Sequence, residues 1–242
     1  MMTIRLPLFA NHRNKYVYGV VLAAASYLLY GITNYFQIFP ARILPFTSFE
    51  KAMPLLPWTV WPYFTYFIIM IFIFFDVKNL ENLHRLTYAF FALQIVSNLV
   101  FVLYPVAIPR ELYPIPDNLD PATAWLLHLI RNVDSVRNCL PSLHVGNCCL
   151  AGLVYWKENR RKFIFSGPWI LLVSFSTLGT KQHYLWDVIA GLALATTLFC
   201  LAFNRRILVF KMSGEKCVTG KSSEMVSSTA DLPAGSDGNH QT

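Results

Sequence analysis

The chain has 242 residues, of which 55% are hydrophobic, 15% aromatic and only 14% charged, against about 25% charged in an average soluble domain; a soluble globular protein is excluded and an integral membrane protein is predicted. A formal net charge of +7 does not predict a nucleic-acid partner, because the basic residues lie between apolar runs rather than in one patch. Cys139, Cys148, Cys149, Cys200 and Cys217 contain no Cys-x-x-Cys pair, and adjacent Cys148 and Cys149 point to different helix faces, so they predict core or free thiols rather than a metal centre.

Residues 1–15 carry Arg5, Arg13 and Lys15 ahead of an apolar run. That run, residues 16–36, has the roughly 20 residues needed to span a bilayer, and no small-residue cleavage site with a polar chain follows it, so an uncleaved first helix is predicted. A loop over residues 37–56, with Pro40, Pro45 and Pro54, leads to a second helix over residues 58–75, whose Trp58, Trp61, Tyr63 and Tyr66 belong at a membrane interface. Residues 76–85 are short and polar. A third helix follows over residues 86–104, and its Gln94, Ser97 and Asn98 require a side facing protein.

Residues 105–138 contain Pro105, Pro109, Pro114, Pro116 and Pro121, which break helices and fold the segment over the membrane surface. Within it, Asp120 as N-cap and Pro121 at the first helical position predict a short amphipathic helix over residues 122–130. A simple lid and a substrate-facing element are equally compatible with that helix. Helices four, five and six are predicted over residues 142–156, 163–178 and 184–203. The tail, residues 213–242, has almost no apolar clusters and is expected to be disordered and cytoplasmic. The fold class is thus all-α and membrane-integral: one six-helix domain over residues 1–212, a Pro-rich outer loop, a disordered tail and no internal repeat.

Placing the N-terminus in the cytoplasm puts fourteen of the 20 Lys and Arg residues on inner segments and leaves Arg42, Lys51, Arg110, Arg131, Arg137 and Lys181 outside. The positive-inside rule therefore predicts both termini cytoplasmic. Helices four and six then begin at the outer face, where unpaired amides and the positive dipole end suit an anion such as phosphate.

Chemistry-bearing residues collect at those two helix starts. Ser142 follows Pro141 at an N-cap position, where its hydroxyl and nearby amides suit a phosphoryl oxygen, and His144 lies in the first turn. His183 and Asp187 are four residues apart, hence on one helix face, so the carboxylate can take one ring N–H and leave the other nitrogen as nucleophile or base. Arg110 and Lys181 rank first as cations for the phosphate, ahead of Arg131 and Arg137. A lone interfacial histidine is an ordinary polar anchor, and a His with an acid four residues on is a common helix pair; both together at one face point to a site.

Pro141-Ser142-Leu143-His144 resembles the second motif, and His183-x-x-x-Asp187 the third, of the type 2 phosphatidic acid phosphatase superfamily, over roughly residues 100–205. Thr180 to Tyr184 and Asp187 to Gly191 look most like the branch that includes inositol phosphorylceramide synthases. The resemblance implies a phosphorylated membrane lipid as substrate, His183 as nucleophile forming a phosphohistidine, Asp187 as its partner, His144 as the acid for the leaving oxygen, Ser142 as phosphate ligand, and neither cofactor nor metal. Two departures concern cations: Ser176-Thr177 stands where the third motif has Ser-Arg, and only Pro109-Arg110 resembles the first motif. Lys181 and Arg110 are the expected substitutes.

The expected function is a metal-independent lipid phosphate phosphatase with its site on the periplasmic or luminal face. A lipid phosphotransferase of the inositol phosphorylceramide synthase type shares the first half-reaction and stays open. A transporter using His183 and Asp187 as a proton relay predicts ionisable groups at mid-span, where the sequence instead has Asn34, Asn98 and Asn147.

Overall fold

The computed structural model describes residues 2–6, 13–204 and 208–212. The tail expected to be disordered lies outside these residues. In chain order the elements are β1 (Met2–Leu6), α1 (Lys15–Tyr35), β2 (Arg42–Ile43), α2 (Ser48–Ala52), α3 (Val60–Asp76), α4 (Leu80–Leu103), β3 (Val106–Ala107), α5 (Pro121–Val133), α6 (Leu143–Glu158), α7 (Arg160–Gly179), α8 (Leu185–Phe203) and β4 (Leu208–Met212). Single 3-10 turns at Pro57–Thr59 and Arg110–Leu112 complete the set.

The six apolar runs of the sequence are α1, α3, α4, α6, α7 and α8. Four of these, α1, α4, α7 and α8, are long and apolar enough to cross a membrane, while Pro57–Ile73 is a shorter apolar segment. α4 begins six residues before the expected position, and its start has a clear physical origin. Asn79 accepts the amide of Asn82 as an N-cap, and Arg85, expected in a loop, is buried within the helix. Its guanidinium binds Glu81 at 2.8–3.0 Å and the carbonyl of Ala202, so α4 gains a turn that hydropathy alone does not show.

The centre of the bundle is where α4, α6 and α8 meet, through Leu86, Leu93, Phe101, Leu150, Val154 and Ala195. Glycines set the spacing. A Cβ at Gly191 of α8 would lie 2.6 Å from the carbonyl oxygen of Ser142, and one at Gly146 would lie 3.1 Å from the Leu93 side chain. Close approach at Gly191 is what holds the starts of α6 and α8 together. Polar groups of α4 face protein as expected: Gln94 donates to Asn147 at 3.4 Å, and Asn98 accepts from Thr33 at 2.9 Å.

Two short parallel pairings, β1 with β4 and β2 with β3, were not expected from the sequence. The second belongs to a layer of loops at the end of the bundle where α6 and α8 begin. There Arg42 donates to the carbonyl of Pro105 at 2.9 Å, Leu56 to that of Gly179 at 2.9 Å, and Cys139 to that of Val106 at 3.3 Å. α5 caps this layer. Its N-cap is Asp120, which accepts the amide of Thr123 at 2.9 Å with Pro121 in the first turn, and it runs to Val133, three residues beyond the expected end. Trp125 on α5, Trp58 and Trp61 near it and Trp186 at the start of α8 are about half exposed or more, aromatic groups suited to a membrane interface.

Candidate active site

The segment between α7 and α8 reverses the chain in a few residues. The amides of Gln182 and His183 both donate to the carbonyl of Thr177, at 3.0 and 3.2 Å, and Lys181 adopts a left-handed backbone with φ of 58°. A positive φ at a residue other than glycine stores strain that surrounding contacts must hold. The Lys181 ammonium supplies such contacts, donating to the carbonyls of Glu50 at 3.1 Å and Met53 at 2.6 Å and lying 4.4 Å from the ring centre of Tyr113.

Glu50, which sequence reasoning missed, is buried beneath this turn. Its carboxylate accepts the amide of Leu185 at 2.7 Å and both the amide and hydroxyl of Thr47, at 2.7 and 2.6 Å. A negative group thus sits at the positive end of α8. Burial lowers the Lys181 pKa from its ordinary value, with Glu50 acting in the opposite direction.

The turn delivers His183 to a defined pair of acceptors. Its Nδ1 lies 3.0 Å from the carbonyl oxygen of Cys139 and 3.4 Å from Oδ2 of Asp187. A carbonyl oxygen only accepts, so Nδ1 carries the proton and Nε2 keeps its lone pair. The same Oδ2 accepts the amide of Tyr184 at 2.8 Å, closing the first turn of α8. Asp187 is fully buried, and its Oδ1 finds no hydrogen-bond partner among the described residues.

The start of α6 is tied to the same point. Ser142 donates its amide to the carbonyl of Asp187 at 3.0 Å, and its hydroxyl accepts the amide of Val145 at 3.4 Å as N-cap. Two residues on, the His144 ring stands 5.8 Å from that of His183 between centroids, walled by Tyr63 at 4.6 Å and Tyr66 at 4.5 Å. Asp134, at the C-cap of α5, places Oδ2 3.9 Å from Nε2 of His144 while accepting the hydroxyl of Tyr63.

Arg110 holds the end of α5. Its Nη1 donates to the carbonyls of Arg131 and Asp134 at 3.2 and 3.0 Å, and its Nη2 to that of Ser135 at 3.3 Å. A guanidinium has five N–H donors. Three are used, and Nε is buried with no hydrogen-bond partner among the described residues, so Nε–H and the second Nη2–H remain as a side-on fork for an oxyanion.

Arg110, Asp134, Asn138, His144, Gln182 and His183 all line one small cavity. Three of the six expected site residues, His183, His144 and Arg110, thus share that cavity, while Asp187 joins them through Nδ1 of His183 and Ser142 through its amide bond to the Asp187 carbonyl. Lys181 is not among the residues lining this cavity, and its ammonium points to α2. Asp134, Gln182 and Glu50 were not singled out from the sequence; the only signal for Glu50 was its place three residues after Thr47, a capping box.

A metal ligand set was not expected, yet ligand atoms of Cys139, His183 and Asp187 lie within 4.8 Å of one another. The donor chemistry fits a metal poorly. Burial, followed by the Asp187 carboxylate, pushes the Cys139 thiol well above its ordinary pKa, and the Nδ1 proton of His183 is committed to a carbonyl.

A family model described as the PAP2 superfamily matches residues 48–201, from α2 to near the end of α8. No curated protein matches the chain.

Proposed function

The chain belongs to the PAP2 superfamily, whose activities are of the phosphatase and phosphotransferase type, and on that premise we propose that it is a membrane lipid phosphate phosphatase acting through a phosphohistidine on His183. The observation that carries this reading is the tautomer of His183. With Nδ1–H given to the Cys139 carbonyl, the lone pair on Nε2 is free to attack phosphorus without prior loss of a proton, and Asp187 compensates the positive charge that the ring gains.

The remaining roles follow from position. The Arg110 fork and the amide end of α6 capped by Ser142 take the equatorial phosphoryl oxygens, whose charge is what such a site must stabilise. His144 donates a proton to the leaving oxygen, and Asp134 beside it holds a negative charge where the imidazolium is needed. Lys181 acts indirectly, by bracing the strained turn that carries His183. Charge compensation by these groups requires no metal.

We place the site on the non-cytoplasmic face and take all six apolar helices as spans, with both termini inside. Lys157, Arg160, Arg161 and Lys162 mark the opposite end of the bundle from the cavity. In intact membranes an impermeant thiol reagent is expected to label Asp117→Cys, in the exposed Pro-rich loop, and not Arg160→Cys; the reverse pattern inverts this orientation.

Hydrolysis and transfer diverge only after the phosphohistidine has formed. The test is to offer purified protein a panel of phosphatidic acid, polyprenyl phosphates and sphingolipid precursors and to measure free phosphate and new lipid products together. Free phosphate from a lipid monophosphate is expected. New phosphodiester lipids without free phosphate would make the protein a transferase, and no phosphorus released or moved from any of the panel would contradict both.

A further inference from the structure

Gln182 presents an anomaly that the roles above do not absorb. It is 2% exposed, and both side-chain atoms, Nε2 and Oε1, are buried without a hydrogen-bond partner among the described residues. Its backbone is fully engaged, the amide on Thr177 at 3.0 Å and the carbonyl accepting the Cys139 thiol at 3.7 Å. Leaving a buried amide with neither donor nor acceptor satisfied costs more than an apolar side chain of the same shape would. Gln182 is among the residues that line the cavity shared by His183, His144 and Arg110.

An amide offers a donor and an acceptor about two ångströms apart, and a ligand that satisfies both must itself present an acceptor beside a donor. A phosphoryl oxygen alone uses only the donor. A phosphoryl group with a hydroxyl approaching its phosphorus uses both: Nε2–H to a phosphoryl oxygen and Oε1 to the O–H. Glutamine serves in this way toward the attacking water in GTPases. We propose that the Gln182 carboxamide orients the hydroxyl group, of water or of an alcohol, that attacks the phosphohistidine on His183.

This assignment rests on the phosphohistidine reading and concerns its second half-reaction. The hydroxyl oxygen forms a bond to phosphorus as the bond from phosphorus to Nε2 of His183 breaks, and the electron pair of that bond returns to Nε2. The hydroxyl proton passes to His144, which gave up its own proton to the leaving group in the first half-reaction. Atoms and charge balance without a further reactant. The ester oxygen that leaves in the first step carries no proton for Oε1 to accept, whereas the hydroxyl that takes its place in the second step does, so the loss of that acceptor is felt after the phosphohistidine exists.

The experiment is rapid-quench labelling of the full-length protein with [32P]phosphatidic acid in detergent micelles. Gln182→Met, which keeps the volume and removes both polar atoms, is expected to form labelled enzyme and to lose the label about tenfold or more slowly than wild type, the scale of a misplaced reactant. Gln182→Asn, which keeps the amide but draws it back by one methylene, is expected to behave likewise. Added ethanol separates the two hydroxyl sources, water giving inorganic phosphate and the alcohol ethyl phosphate, and both are expected to slow. Decay at the wild-type rate in either variant that labels overturns the assignment, and so does failure of both variants to label while wild type does. An unlabelled wild type overturns the phosphohistidine reading, and this assignment with it.

Discussion

The carbonyl oxygen of Cys139 is a closer partner to Nδ1 of His183, at 3.0 Å, than is the carboxylate of Asp187, at 3.4 Å. The main chain therefore fixes the tautomer of the proposed nucleophile, a task that falls to the aspartate in the serine-protease triad. Replacing that aspartate by asparagine in the triad costs about 10⁴ because the wrong tautomer is then favoured. Here Asp187→Asn still accepts the amide of Tyr184 and leaves the Cys139 carbonyl in place. The expected loss of kcat is about 10²-fold, the part due to charge alone. A loss approaching 10⁴ would show that Asp187, and not the main chain, holds the proton.

Arg110 is expected to be needed for its shape. Its three bonds to carbonyls at the end of α5 and its free side-on fork use the planar guanidinium at once, which an ammonium cannot reproduce. Arg110→Lys is predicted to lower kcat/KM about a hundredfold and to weaken inhibition by vanadate in parallel. Wild-type vanadate affinity in that variant would remove Arg110 from the phosphate site.

Asp134→Asn keeps an oxygen to accept the Tyr63 hydroxyl and removes the charge 3.9 Å from His144. If that charge serves the proton donor, turnover of a lipid phosphate should fall at least about tenfold. Turnover of p-nitrophenyl phosphate, whose leaving group needs no proton, should change little. An equal loss on both substrates would make Asp134 a structural cap only.

Lys181 is expected to matter for stability. Its ammonium satisfies two buried carbonyls behind a residue with positive φ, so Lys181→Met should lower the thermal midpoint in detergent more than it lowers kcat at a temperature where both proteins are folded. The pH dependence has a definite sign. A lysine whose folded pKa is depressed binds fewer protons when folded than when unfolded, so its contribution to stability rises with pH through the window below the ordinary value of 10.5. That rise should be absent in Lys181→Met. A kcat abolished in this variant with an unchanged thermal midpoint would return Lys181 to the phosphate.

Much of the helix framework was legible because lipid-facing and core-facing helices both need long apolar runs, and Asp120 with Pro121 marked the start of α5 without tertiary information. His144, His183 and Asp187 were legible because helix starts place them by local spacing. The start of α4 was not, since Arg85 is held by the carbonyl of Ala202, more than a hundred residues away. Arg110 was read from charge and sidedness, but its geometry depends on carbonyls of α5. Asp134 and Gln182 carry no spacing signal, and neither does the direction of the Lys181 ammonium. Nearness to His183 in sequence suggested nearness of the charge, whereas the left-handed turn sends its side chain to α2.

A covalent bond between phosphorus and His183 can be recovered and located. Purified protein mixed with [32P]phosphatidic acid and quenched in alkali should yield an acid-labile phosphohistidine on the peptide containing His183. His144→Ala should form it more slowly, and His183→Ala not at all. Turnover surviving in His183→Ala, or label recovered on any other residue, would show that His183 is not the nucleophile.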